Sequence, residues 1–297
     1  MNLTLSNGKS IRGDLVKQAV LRYDMSPVPA TLEAEIRVDD ELRKLLADGK
    51  TINCNGDDFH IVKPAATSGN IAQGQHDMSF LRITALLDAC HAVTFVRQRA
   101  IIKENVVLSQ IYRAAGATLS GVDGDFKVDR FNCMVGGTPS FKIAQVLQEE
   151  GGVVFWKAGK LKFMRLPDLF KQKPSLSMPD NASENIVSGF LERHEIPSFH
   201  SLSPTGEIVH GNRDKARSSR FVPHKNELQL INMSRCLVQR KIIPKMGYND
   251  KIYAGDLIEF IGVQPLVVVT AAHVFCSGTD SGGSQQYTKL WLSGLVG

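Results

Sequence analysis

Two short stretches near the C-terminus carry residue types that could do chemistry together. Val269-Thr270-Ala271-Ala272-His273 ends on an imidazole, and Thr279-Asp280-Ser281-Gly282-Gly283 offers a carboxylate, a hydroxyl and glycines. A serine activated by histidine, with an acid behind the histidine, is the arrangement that acyl transfer needs. His273 and Ser281 are only eight positions apart, and a triad is defined by geometry, not by letters. A strand ending at Phe275, a Gly/Ser loop and a strand starting near Tyr287 explain the same residues, since such loops use Asp, Ser and Gly for their turns. The hairpin is the reading carried forward. A hydrolase using His273 and Ser281 is its alternative.

The remaining reactive residues are scattered. His194-Glu195 with His200 has the wrong spacing for a helical zinc site: the position four after His194 is Ser198, and Pro197 would break the helix. His60, His76, His91, His210 and His224 form no HxH or HxxxH pair, so all eight histidines read as structural or surface residues. Asp57-Asp58 and Asp123/Asp125 lack the other ligands of a calcium loop. No glycine-rich phosphate loop is present. The cysteines at 54, 90, 133, 236 and 276 are odd in number and form no CxxC, which points to reduced thiols and not to disulfides or zinc. No cofactor and no metal is expected. A basic run, Arg213, Lys215, Arg217, Arg220 and Lys225, contains one aromatic, Phe221. Base stacking would call for more aromatics, so the run reads as a solvated loop or an arm that docks on an acidic neighbour. A DNA channel with this loop as its contact is the third reading, with steep salt dependence as its mark.

The chain's totals allow two domains, each with its own core, in 297 residues. Hydrophobic content of 43% and charged content of 22% are those of an ordinary globular protein, and a net charge of +5 permits a polyanion partner without requiring one. Met1 to Asp14 lacks the basic-then-apolar order of a signal peptide. Apolar runs such as Pro265 to Cys276 fall short of the ~20 residues of a membrane helix, so no membrane anchor is expected.

The elements that must position these residues are mostly strands. Residues 1–13 read as a polar lead-in with a turn at Asn7-Gly8. Val16 to Tyr23 and Ala30 to Val38 alternate, with Leu32, Ala34, Ile36 and Val38 on one face. Asp39 to Leu46 is a short helix capped by Asp39 and stopped by Gly49. Thr51 to Cys54, Asn55-Gly56 and Phe59 to Val62 form a hairpin. Pro64 to Gln75 reads as a loop of small residues, Met78 to Leu87 as a strand, and the segment to Arg99 as either strand or helix. A helix over Asn105 to Ala115, capped by Asn105 and ended by Gly116, comes next. A second helix opens at Thr138-Pro139, carries Phe141, Ile143, Ala144, Val146 and Leu147, and ends at Gly151-Gly152. Val153 to Trp156 and Leu161 to Leu166 then make a tight hairpin. Lys171 to Ile186 reads as a linker or crossing loop. Glu227 to Met233, Leu237 to Ile243, Leu257 to Val263, Leu266 to Phe275 and Tyr287 to Leu292 read as strands. Within them the adjacent cations Arg240 and Lys241 must face opposite ways or sit at a bulge.

The central unit carries a family resemblance. Arg97-Gln98-Arg99-Ala100-Ile101-Ile102 and Val106-Val107-Leu108-Ser109-Gln110-Ile111-Tyr112-Arg113-Ala114-Ala115-Gly116 resemble the end of the first tube-like domain and the following helix of phage tail baseplate hub proteins. This is the late-control D and T4-hub-like family, related to the N-terminal part of type VI secretion spike proteins. Ile143, Leu147, Glu149-Glu150, Gly151-Gly152, Val153 to Trp156 and Gly159-Lys160-Leu161 look like its helix, glycine turn and hairpin. His273-Val274-Phe275, Gly282-Gly283 and Tyr287-Thr288-Lys289-Leu290 look like its ending. The resemblance implies a structural protein and not an enzyme, of α+β, mainly β class. It implies two tube-like β-barrel domains, residues 1–103 and 174–297, flanking a helix–hairpin connecting subdomain at 104–173. It further implies a homotrimer whose six barrels form a pseudo-hexameric ring between a six-fold tail tube and a three-fold spike. The tail tube or tube-initiator protein, a separate spike chain and other baseplate proteins would be its partners. DNA would pass through the lumen without specific binding, in a virion assembled in the host cytoplasm.

Overall fold

The computed structural model describes residues 1–73, 76–186, 197–213, 218–278 and 283–296. The chain begins with strand β1 (Leu3–Leu5), followed by β2 (Val16–Asp24) and β3 (Ala30–Val38). β3 buries Leu32, Ala34, Ile36 and Val38, as period-two patterning requires. Asp39 then caps α1 (Asp40–Leu45), its carboxylate accepting the Leu42 N–H at 2.8 Å. β4 (Thr51–Cys54) turns into β5 (Asp57–Gln73) through Asn55-Gly56, whose φ values of 52° and 97° suit a two-residue hairpin. β6 (His76–Leu87) returns along β5.

Two expectations change here. The polar lead-in contains β1, which buries Leu3 and Leu5 against β4; three residues are too few to show a period. The loop expected at Pro64 to Gln75 is largely strand, to Gln73. β4 pairs β5 only as far as His60, so beyond it the outer edge of β5 needs no ladder donors there and accommodates Pro64.

The middle of the chain holds β7 (Ile101–Val107), α2 (Leu108–Ala114), β8 (Val122–Asp123), β9 (Lys127–Cys133) and α3 (Pro139–Glu149). A hairpin of β10 (Gly152–Lys157) and β11 (Lys160–Arg165) and a single turn, α4 (Leu166–Leu169), complete it. α2 starts later than expected. Asn105 is not its cap but lies inside β7, left-handed at φ 53°, because β7 stays paired with β9 through Val107. Gly116, at φ 93°, does end the helix. α3 begins at Thr138-Pro139 and buries Ile143, Val146 and Leu147, but it leaves Phe141 and Ala144 exposed.

The rest contains β12 (Leu176–Met178), β13 (Glu184–Asn185), β14 (Ser198–Leu202), β15 (Ile208–His210) and β16 (Ser219–Phe221). After α5 (Glu227–Met233) come β17 (Cys236–Gly247), β18 (Leu257–Phe260), β19 (Val263–Cys276) and β20 (Gln285–Val296). The strand expected at Glu227 to Met233 is therefore a helix. Asn226 and Gln229 form a reciprocal capping box, and Leu230 and Met233 bury one helical face. Between Gln239 and Lys241 the register of β17 shifts, which is the bulge that adjacent cations called for. Lys241 turns inward to Asp180.

The two β-rich regions are joined edge to edge. β2 pairs with β19 from Gln18↔Cys276 to Asp24↔Thr270, giving a twelve-stranded sheet with the path β1-β4-β5-β6-β3-β2-β19-β20-β17-β13, to which β18 adds at β19 and β12 at β18. The main core runs from Leu3 through the middle unit to Val267. Gly255, at φ 92°, holds the approach between the middle hairpin and the C-terminal strands: a Cβ there would stand 2.8 Å from the Phe155 ring. The fold is mainly β with few helices. Among the described residues, no helix is long and apolar enough to cross a membrane.

Candidate interaction site

His273 is placed at the seam, not in a cleft. β19 carries it opposite Leu21 of β2 and Thr288 of β20, with 0% of its surface exposed. One ring nitrogen lies 3.1 Å from Thr288 Oγ1 and the other 3.1 Å from the Ile252 carbonyl oxygen. Burial pulls its pKa below the ordinary 6.5, so the ring is held neutral. With both nitrogens engaged and no access to solvent, it has nothing to offer a substrate. Asp280 and Ser281 lie outside the described residues, as do His194 and Glu195.

Arg213 and Arg220 are exposed, the latter on β16. Lys225 is spent within the chain, its ammonium 2.6 Å from Glu149 of α3. Lys215 and Arg217 lie outside the described residues. None of the five cysteines is in a disulfide bond. Burial pushes Cys54 and Cys90 up to about 12, so neither is a nucleophile.

The surface that stands out is apolar. Phe95 (49% exposed) and Val96 (63%) follow the 3-10 turn His91–Thr94. Met134 (62%) and Val135 (66%) follow β9, Phe141 (62%) sits on α3, and Ile102 is exposed on β7. Backbone bonds draw these segments together: the Arg97 N–H donates to the Gly137 oxygen and the Gly136 N–H to the Arg97 oxygen, both at 2.9 Å. α3 also packs on the 91–94 turn. Cations border the patch. Lys142 Nζ stands 5.6 Å from the Phe141 ring centroid, Arg99 is exposed, and the Arg97 guanidinium donates to the Ala115 oxygen at 3.4 Å. Its Nε is buried with no partner among the described residues. Exposed apolar residues on segments tied together in this way make a candidate contact with another molecule. Sequence reading missed it because Phe141 falls at helical spacing with the inward residues.

A second grouping also escaped the sequence. β5, β6 and the 91–94 turn bring His60, Asp88 and His91 together, with one donor atom from each lying within 4.8 Å of the others. The only local signal was the Asp88/His91 spacing, which places both side chains on one side of a turn.

No protein-family model matches the chain, and no curated protein matches it in sequence. Solved structures do. The chain is similar to the tail protein from Neisseria meningitidis MC58, with TM-score 0.63 and 10% identity over 99% of this chain and 95% of that one. It is similar to the 43 kDa tail protein of prophage MuSo2 from Shewanella oneidensis, with TM-score 0.60 and 11% identity over 98% and 97%. It also matches the E. coli c3393 protein, a component of the type VI secretion system similar to T4 tail proteins gp27 and gp5. That match has TM-score 0.55 and 10% identity over 98% of this chain and 76% of that one. The chain has the fold of these phage tail and type VI secretion proteins.

Proposed function

We propose that the protein is a structural component of a phage tail or phage-like apparatus, acting as the baseplate hub. The observation that carries this reading is the reach of the likeness: it spans 99% of this chain and 95% of a tail protein, not an isolated module. Residues 1–103 and 174–297 would be the two tube-like units and 104–173 the connector that sets their angle. Three copies would present six such units as a pseudo-hexameric ring, joining a six-fold tail tube to a separate three-fold spike. Other baseplate proteins would pack outside. DNA would pass through without specific binding, and Arg213 and Arg220, with Lys215 and Arg217, would face the lumen or a docking partner. The location would be the tail of a virion assembled in the host cytoplasm.

The apolar patch supplies a reason for assembly, and the occupant proposed for it is the neighbouring copy. A groove between the N-terminal segment and α1 is floored by Leu5, Ile11, Leu15, Leu42 and Leu45 and bordered by Asp39 and Glu41. Lys9 and Arg12 also line it, and Arg12 is neutralised by Asp14 at 2.7 Å. α1 follows the Val38 end of β3, whereas the turn leading to the patch follows Leu87, near the Thr31 end. The segments leading to the two surfaces thus leave opposite ends of one nine-residue strand, about 26 Å long at about 3.3 Å per residue. One copy cannot satisfy itself, and a head-to-tail contact closes a ring when its rotation allows. An obligate interface of this kind buries above about 2,000 Å². Negative-stain electron microscopy of the purified protein should show ring-shaped particles with three-fold symmetry; a uniform field of single 33 kDa-sized particles would refute the hub reading.

A further inference from the structure

We propose that His60, Asp88 and His91 bind a divalent transition-metal ion of the zinc class. The proposal stands on side-chain placement and does not depend on the hub reading.

The backbone beneath the three residues is fixed. His60 pairs with Leu86 across the β5–β6 ladder, and the Asp88 N–H extends that ladder by donating to the Asp58 oxygen at 2.8 Å. The Cys90 N–H then bonds the Leu87 oxygen, which turns the chain and brings His91 back over Asp88. Three ligands on a hydrogen-bonded frame lose little backbone freedom on meeting an ion.

The side chains converge without satisfying one another. Asp88 Oδ1 lies 3.6 Å from Nδ1 of His60 and 3.6 Å from Nδ1 of His91, beyond hydrogen-bond range in both cases. Among the described residues, the Asp88 carboxylate accepts no hydrogen bond and the His60 ring makes none. His91 Nδ1 lies 2.6 Å from the Asp88 backbone oxygen. That bond puts the proton on Nδ1 and leaves the lone pair on Nε2, which is how a backbone carbonyl orients a metal-ligating imidazole.

Size and chemistry agree. Ligands at 2.0–2.2 Å from one tetrahedral ion stand roughly 3.3–3.6 Å apart; one nitrogen or oxygen of each residue here already lies within 4.8 Å of the others, and the His91 ring has to turn to present Nε2. The side chains are 22%, 36% and 19% exposed, so they can turn, and water can fill the fourth position. The two rings are stacked, with centroids 4.0 Å apart and planes 7° from parallel. An ion meets each imidazole in the plane of its own ring, so binding opens this stack. Two imidazoles and a carboxylate favour zinc, cobalt or nickel over magnesium or calcium. Cys90, between two of the ligands in sequence, is fully buried, on the core side of the turn. Phe95 packs edge-on to His91 at 5.8 Å, so an ion here would brace the base of the apolar patch.

The test is titration of the chelator-stripped full chain with Co²⁺ and then Zn²⁺, read by visible absorption and by thermal unfolding. The expected result is a Co²⁺ d–d spectrum without a thiolate charge-transfer band, its loss on adding Zn²⁺, and a rise in Tm with Zn²⁺. His60→Ala, His91→Ala and Asp88→Asn should each weaken Co²⁺ binding at least about tenfold, and His200→Ala should not. Metal-free Tm values show whether each variant is folded, and Asp88→Asn, nearly isosteric, is the least disruptive of them. The proposal is overturned if no Co²⁺ spectrum develops, if a thiolate band appears, or if His200→Ala weakens binding as much as the ligand variants.

Discussion

The seam where β2 meets β19 and the patch around Phe141 are built from similar side chains left in opposite states. At the seam, Leu21, Ala271 and Val274 are 0–5% exposed, and even the histidine has a partner for each nitrogen. At the patch, Phe95, Val96, Met134, Val135 and Phe141 are all at least 49% exposed, beside an arginine whose Nε has no partner among the described residues. The seam joins parts of one chain and is complete. The patch is built from the same kinds of side chain and is left open to solvent. Exposed apolar area therefore separates the residues that hold this chain together from those left available to another molecule.

Substitutions can break that contrast. The largest stability effect belongs to the seam: Leu21→Ala should cost about 2–5 kcal/mol, the cavity price of a fully buried leucine, read as a lower urea midpoint. A loss below 1 kcal/mol would mean that the seam is not load-carrying core.

The second effect is pH-dependent. His273 is buried neutral with its pKa below 6.5, so the unfolded chain takes up the proton first as pH falls. Stability should be full above pH 6.5 and should decline as pH drops from there through the folded-state pKa. His273→Gln should be less stable at pH 7.5 and should lack that part of the decline. An equal pH slope in both proteins would show that His273 is not the group responsible.

The smallest stability effect belongs to the patch. Phe141→Ser and Val135→Ser should change unfolding free energy by less than about 0.5 kcal/mol, as exposed substitutions do. A large destabilisation would turn the patch into core and remove its claim as a contact.

The same contrast explains what the sequence could and could not show. Local chemistry was legible: Asn55-Gly56 marked a hairpin, Thr138-Pro139 a helix start and Gly116 a helix stop, because each depends on its own backbone angles. Leu32, Ala34 and Ile36 announced their face by alternation. The sequence pattern failed where partners decide. Phe141 has the spacing of a core residue, and only the packing of α3 shows that it faces out. Leu228, Leu230 and the residues around them alternated like a strand, and the Asn226–Gln229 capping box that makes them α5 was overlooked. His60 stands 28 positions before Asp88, and nothing short of the β5–β6 register brings them together. Lys225 meets Glu149, a contact between elements far apart in the chain that no local pattern announces.

The central claim is that the patch is an unfinished contact between copies, and the most direct measurement is mass in solution. Light scattering coupled to size exclusion at micromolar concentration should give a trimer for the wild-type chain. The Phe141→Ser/Val135→Ser double variant should give a folded monomer with an unchanged urea midpoint. A wild-type chain that is monomeric across that range, or a double variant that still forms the trimer, would contradict the claim.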